Sequence, residues 1–133
     1  MSGLFTHVDC IELYVSDLDD GMKFYHESLG LTLLWRSETS VGLGMENGTT
    51  EVVLQTDRTW MNVDFKVESV VKSVDKIIEA GGKIVDAPFD IPIGKCAVVK
   101  DKLDNQYAIL DMTKGRYVTD ESGNVVGLSK EKE

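Results

Sequence analysis

The sequence predicts an α+β fold: paired βαβββ modules forming a curved sheet around a cleft. Three observations carry the expectation. The stretch Ile11 to Leu31 reads as strand, sharp turn, helix and the start of a second strand. The same order of elements returns 52 residues later. Each helix-like stretch carries one apolar stripe, which is what a helix covering one face of a sheet requires.

In the first module, Ile11, Leu13 and Val15 alternate with Cys10, Glu12 and Tyr14. That period of two belongs to a strand with one face against a helix. Ser16 and Asp17 offer an N-cap, and Asp19 and Asp20 suit the first helical turn. Leu18, Met22, Tyr25 and Leu29 form the expected stripe, and Gly30 supplies the stop. Cys10, Glu12 and Tyr14 are left facing the cleft. Leu31 to Arg36 reads as the second strand. Val41 to Met45 and Glu51 to Thr56 read as a hairpin closed by Glu46-Asn47-Gly48-Thr49.

The second module begins at Trp60, with Met61, Val63, Phe65 and Val67 on one face and Asn62, Asp64 and Lys66 on the other. A helix with Val70, Val74, Ile77 and Ile78 as its stripe ends at Gly81-Gly82. Strands follow at Lys83 to Ala87, at Lys95 to Lys100 beyond a turn over Pro88 to Gly94, and at Gln106 to Asp111. A shift of 52 residues places Val15 on Val67, Met22 on Val74, Tyr25 on Ile77 and Gly30 on Gly82. It also equates Cys10 with Asn62 and Glu12 with Asp64. The expected organisation is one domain over 1–113, with modules at about 7–57 and 60–111, then a polar hairpin and tail over 114–133.

Composition narrows the function. The formal charge of −9 opposes nucleic acid and anionic membrane as partners and permits a cationic ligand. No apolar run approaches the ~20 residues that span a bilayer, and the N-terminus shows no secretory pattern. Cys10 and Cys96 sit in apolar strands and read as buried thiols of a cytoplasmic protein.

By alternation, Glu12, Tyr14, Glu51, Gln55, Asp64, Lys66 and Gln106 share the cleft face with Asn62. Either Lys66 pairs with one of the acids, or Glu12, Glu51 and Asp64 form an acidic pocket that binds a cation or supplies a base of raised pKa. Trp35 and Trp60 are either aromatic walls or core. Lys95, ending the Pro- and Gly-containing turn, either meets an anionic group of a ligand or belongs to an ordinary strand connection. His7 and His26 read as a strand-edge and a helix-surface residue.

Val15-Ser-Asp-Leu18, Phe24-Tyr25 followed by Leu29-Gly30, the paired modules, and Asp101-Lys-Leu-Asp-Asn105 before the last strand carry a resemblance. Over roughly residues 7 to 111 the chain resembles the vicinal oxygen chelate superfamily. That superfamily includes glyoxalase I, ring-cleaving dioxygenases, fosfomycin-resistance enzymes and bleomycin-binding proteins. The resemblance implies a divalent metal held by His or Glu from the modules, but the matching positions here are Cys10, Val53, Asn62 and Ala108. None is His or a carboxylate, so the expectation is no metal and no other cofactor.

The reading is a metal-poor member that binds a small organic ligand, similar to bleomycin-resistance proteins. The candidate site groups Glu12, Glu51 and Asp64 with Tyr14, Trp35, Gln55, Trp60, Asn62, Lys66, Lys95 and Gln106. The alternative is a glyoxalase I-like lyase or isomerase acting on a small carbonyl substrate, so enzymatic character stays open. Homodimerisation is a further expectation from the resemblance.

Overall fold

The computed structural model describes residues 3–46 and 48–130. It divides into two compact units, one of residues 9–63 with 117–127 and the other built chiefly from residues 64–116.

In the first unit, β1 (His7–Tyr14) leads through α1 (Leu18–Met22) to β2 (Thr32–Arg36), β3 (Ser40–Gly44) and β4 (Glu51–Gln55). The strands lie in the order β2-β3-β4-β1. β1 and β4 run parallel, with Cys10 opposite Glu51, Glu12 opposite Val53 and Tyr14 opposite Gln55. Leu18, Val41, Leu43 and Leu54 form the buried core, with Leu13, Val15, Met22, Tyr25 and Leu33 packed around them. Alternation therefore sends Gly42, Val53 and Glu12 to the opposite face. Asp17 caps α1 by accepting from the Asp20 N–H at 3.1 Å.

The helix after Asp17 differs from the expectation. Its second half, Lys23–Ser28, is π-helical, and the Leu29 N–H reaches Phe24 O at 3.0 Å. Wider turns rotate later side chains off the 3.6-residue stripe. Leu29 accordingly leaves the core and is 55% exposed. His26 Nδ1–H donates to Leu31 O at 2.6 Å, which ties the end of this segment to the strand that follows.

The expected turn at Glu46-Asn47-Gly48-Thr49 includes Asn47, which lies outside the described residues. The polar stretch after Met112 forms the expected hairpin, β9 (Arg116–Thr119) and β10 (Val125–Ser129). It docks beside β2: the Arg36 N–H donates to Gly123 O at 2.8 Å, and Tyr117 packs on Trp35 with ring centroids 5.0 Å apart.

In the second unit the strands run β5 (Asn62–Lys66), β8 (Gln106–Leu110), β7 (Gly94–Lys100) and β6 (Lys83–Ile91). α2 (Val70–Glu79) buries Val70, Ser73, Val74 and Ile77 against Ala97, Val99 and Ile109. Ile78 is not part of that stripe; it is 48% exposed. The connection expected over Pro88 to Gly94 is shorter, because β6 continues through Pro88 to Ile91. Register shifts between Ile84 and Phe89 absorb the proline, as bulges on a strand of this kind do.

Asp111 organises this end of the unit. It is only 2% exposed and accepts from the Val70 N–H at 2.8 Å, the Lys95 N–H at 2.9 Å and the Thr113 hydroxyl at 2.9 Å. The carboxylate thus satisfies an N–H at the start of α2, where a negative charge also meets the positive end of the helix dipole. Gly94 is required beside it, because a Cβ there would lie 2.3 Å from Asp111 O and Oδ1.

Candidate functional site

The face of the first unit turned away from α1 carries the chemistry. Three register pairs set one row across it: Trp35 opposite Gly42, Gly42 opposite Val53 and Val53 opposite Glu12. Parity alone would give Leu33 and Trp35 the same face. A register shift between them lets Leu33 join the core while Trp35 turns to the opposite side.

Gly42 makes the next step possible. A Cβ at this position would lie 2.0 Å from Trp35 Nε1, so the indole lies directly against the bare backbone. From there the Trp35 N–H donates to Glu51 Oε1 at 2.7 Å. Tyr117 tilts against the indole at 51°.

Burial raises the Glu51 pKa above its ordinary 4.5; the Trp35 hydrogen bond lowers it and the nearby Asp9 charge raises it further. The Tyr117 hydroxyl is also shifted upward, first by burial and then by Glu51. Glu51 is therefore a carboxyl that can hold or release a proton closer to neutrality than a solvated one.

Glu12 has a different environment. Its side chain is 10% exposed, and its Oε1 accepts from Arg58 Nη2 in an ion pair. Arg58 comes from the polar link after β4, and buried Gln55 fixes it there. Gln55 Oε1 accepts from the Asp57 N–H at 2.8 Å and the Arg58 N–H at 2.7 Å, while its amide donates to Arg58 O at 2.7 Å. Gln55 is thus a positioning residue whose amide is consumed by backbone. The arginine side chain it aims is 40% exposed as a whole, with its Nε buried.

The remaining sequence-derived candidates fall as follows. Tyr14 is 41% and Trp60 53% exposed, so Trp35, not Trp60, is the half-buried indole. Asn62 is half-buried. In the second unit Asp64 is 5% exposed and sits opposite Ala108 in register. Lys66 is half-buried and Gln106 exposed at the start of its strand. The Lys95 ammonium is engaged by Asp90 at 3.0 Å, and Lys114 joins the same carboxylate at 2.9 Å. These two lysines hold the Asp90 pKa below its usual value, Lys114 more strongly than Lys95.

Sequence reasoning missed Arg58, Tyr117 and Asp111. Arg58 lies in a link between strands, and Tyr117 in the C-terminal hairpin, whose docking beside β2 is not written in its own residues. Gly42 carried a usable signal, since a glycine inside a strand marks a close approach.

At the four positions where the superfamily would place metal ligands, Cys10 is a buried thiol, and Val53 and Ala108 are buried side chains without a donor atom. Asn62 adds only a neutral amide oxygen. That set does not fit the superfamily's metal centre.

Fold and site together define a protein of paired βαβββ modules with aromatic and ionisable groups on the sheet face turned away from α1. The comparisons agree. The Glyoxalase/Bleomycin resistance protein/Dioxygenase superfamily model matches residues 6–128, and the chain belongs to this superfamily. It is 29% identical over 98 residues to the uncharacterized protein YraH of Bacillus subtilis (strain 168), covering 60% of this chain and 77% of YraH.

Among solved structures it is similar to methylmalonyl-CoA epimerase from Mycobacterium tuberculosis. The TM-score is 0.70 at 14% identity, covering 84% of this chain and 91% of that one. It is also similar to homoprotocatechuate 2,3-dioxygenase from Brevibacterium fuscum in complex with 3,4-dihydroxyphenylacetate. There the TM-score is 0.58 at 22% identity, covering 81% of this chain and 37% of the dioxygenase. At these identities the likeness is one of fold.

Proposed function

We propose that this protein binds a small organic molecule on the first unit's sheet face turned away from α1, without a metal or other cofactor at the superfamily's usual ligand positions. The observation that supports this best is the arrangement of Trp35. A glycine is set beneath it, a carboxyl accepts its N–H, and a tyrosine packs on it. A core indole needs burial and a hydrogen-bond partner, but not a partner whose pKa is raised. Aromatic surface beside a protonatable group is the usual make-up of a small-molecule site.

Capture and holding of the ligand, in the manner of bleomycin-resistance proteins, is the favoured reading. Cytoplasmic location and homodimerisation belong to the same proposal. They rest on the family and on Cys10 and Cys96 being thiols rather than disulfide partners. Among the described residues no helix is long and apolar enough to cross a membrane.

A second reading has its own support. The raised pKa of Glu51 suits proton transfer at a carbon or oxygen next to a carbonyl, as in a lyase or isomerase. An epimerase shares the fold.

A thermal-shift screen of small organic compounds against the wild type and Trp35→Leu decides between binding and none. Stabilising compounds are expected with the wild type, and their effect should be lost in the variant. Compounds that stabilise both proteins equally would place the site elsewhere. Conversion of a bound carbonyl compound, abolished by Glu51→Gln, would favour the lyase or isomerase.

A further inference from the structure

The charge of the chain is unevenly spread. Residues 9–63 and 117–127, the first unit, hold 12 acidic residues and three basic ones, Lys23, Arg36 and Arg58, so the whole net charge of −9 lies there. All three cations are committed away from Glu51. Arg36 pairs with Asp19 at 2.9 Å, Arg58 pairs with Glu12, and Lys23 belongs to the helical segment that follows α1. Among the described residues Glu51 forms no ion pair. The charge that acts on it is a second acid, Asp9.

Glu51 borders aromatic surface instead. Its Oε1 accepts the Trp35 N–H at 2.7 Å, and among the described residues its Oε2 has no hydrogen-bond partner. The Trp35 and Tyr117 rings stand 5.0 Å apart and are inclined at 51°, so neither covers the other as a stack would. Glu51, Trp35 and Tyr117 are half-buried, not sealed from solvent. An aromatic face carries partial negative charge. Two rings, a carboxyl and a neighbouring acid therefore all favour a positive guest. Because Gly42 seats the indole, this corner is built before any ligand arrives, which favours tight recognition.

We infer that the ligand carries a primary ammonium group, held at the Glu51 carboxylate beside the Trp35 and Tyr117 rings. This rests on the small-molecule reading above. The ammonium donates an N–H to Glu51 Oε2 in a charge-assisted hydrogen bond and meets the rings as a cation–π partner. It supplies the counter-charge that this acidic unit does not provide for Glu51. Because Tyr117 comes from β9, the C-terminal hairpin is part of the site rather than an appendage. A carboxylate or phosphate in this corner would meet Glu51, Asp9 and the charge of the whole unit, and is disfavoured.

Probes of similar shape and different charge test this. Calorimetric titration uses phenethylamine, 2-phenylethanol, 3-phenylpropanoate and phenethyltrimethylammonium. The amine is expected to bind the wild type at least about tenfold more tightly than the alcohol, because its charge meets both the carboxylate and the rings. The trimethylated analogue keeps the charge but offers no N–H, so it should bind more weakly than the amine. Glu51→Gln keeps an acceptor for the Trp35 N–H and removes the charge; it should bind amine and alcohol equally. Glu27→Gln neutralises an exposed acid on the helical segment of the same unit and should leave the preference for the amine intact.

A second variant, Tyr117→Leu, removes one ring and should weaken the amine more than the alcohol; melting curves of each variant separate lost recognition from lost fold. If Glu27→Gln reduces the preference as much as Glu51→Gln does, the attraction is to the unit's net charge and the inference fails. A preference that survives Glu51→Gln, or equal weakening of both probes by Tyr117→Leu, overturns the placement. Tighter binding of the alcohol, the acid or the trimethylated analogue overturns the primary ammonium while leaving a small-molecule site in place. No binding by any probe overturns it too; hits in the compound screen that depend on Trp35 but carry no ammonium show that only this inference, not the binding function, has failed.

Discussion

The Trp35 indole N–H donates to Glu51 Oε1 at 2.7 Å, although the two residues lie on strands separated by a third. β3 stands between them, and it is crossed only because residue 42 is a glycine. The contact joins an aromatic surface to a carboxyl whose pKa burial raises.

That shift has a pH signature. A carboxyl with a folded pKa above its unfolded value holds its proton more tightly in the native protein. Native stability is therefore unpenalised below pH 4.5 and falls as pH rises from 4.5 through the higher folded value. Glu51→Gln retains an oxygen for the Trp35 N–H and carries no charge. Its melting temperature should match the wild type near pH 4 and exceed it increasingly above that. A wild type that gains on the variant as pH rises would show that the Glu51 charge stabilises the fold.

Gly42→Ala inserts a methyl 2.0 Å from Trp35 Nε1 and 2.2 Å from its Cε2. The indole must move, breaking its bond to Glu51. A loss of about 1–3 kcal/mol in denaturant unfolding is expected, the usual cost of overpacking. The tryptophan fluorescence of the native protein should change with it. An unchanged spectrum and midpoint would mean that the indole has room to shift without consequence.

Asp111→Ala leaves the Val70 and Lys95 N–H groups without their carboxylate. Each buried donor left unsatisfied costs about 1–3 kcal/mol, so a loss of at least ~2 kcal/mol is expected. Hydrogen exchange should report it first at the start of α2. Exchange rising uniformly through the chain, with none localised to Val70, would argue against this role.

Metal binding offers a separate check. Glu12 is paired with a guanidinium, and the positions equivalent to the superfamily's ligands include valine and alanine. Zinc, nickel or manganese should leave the melting temperature nearly unchanged, and the glutathione hemithioacetal should not be turned over. A stabilisation that grows with metal concentration, or turnover restored by nickel after chelation, would sink the metal-free reading.

Much of this arrangement was legible in the chain because it depends on period. The alternation of Cys10, Glu12 and Tyr14 with Ile11, Leu13 and Val15 separates site face from core face, and Leu13 and Val15 do pack in the core. The repeat placed Val67, Val74 and Ile77 correctly, and they line the second core. The π-helical turns were not legible. Leu29 continues the α-helical stripe in sequence, and only the Phe24 O to Leu29 N–H bond takes it out.

Glu12 and Glu51 were identifiable as acids on a shared face, yet what tells them apart came from residues distant in the chain. Arg58 lies 46 positions from Glu12, and it returns to it because Gln55 holds the intervening backbone. Tyr117 meets Trp35 only because the C-terminal hairpin docks beside β2.

The sequence by itself determined the α+β class, the two modules and their cores, since local period and side-chain chemistry need no partner to be read. The tertiary structure alone decided which acid is neutralised, which carries a raised pKa and which indole faces the site. Those properties arise from burial and from long-range pairing, and a one-residue register shift between Leu33 and Trp35 is enough to exchange the two faces.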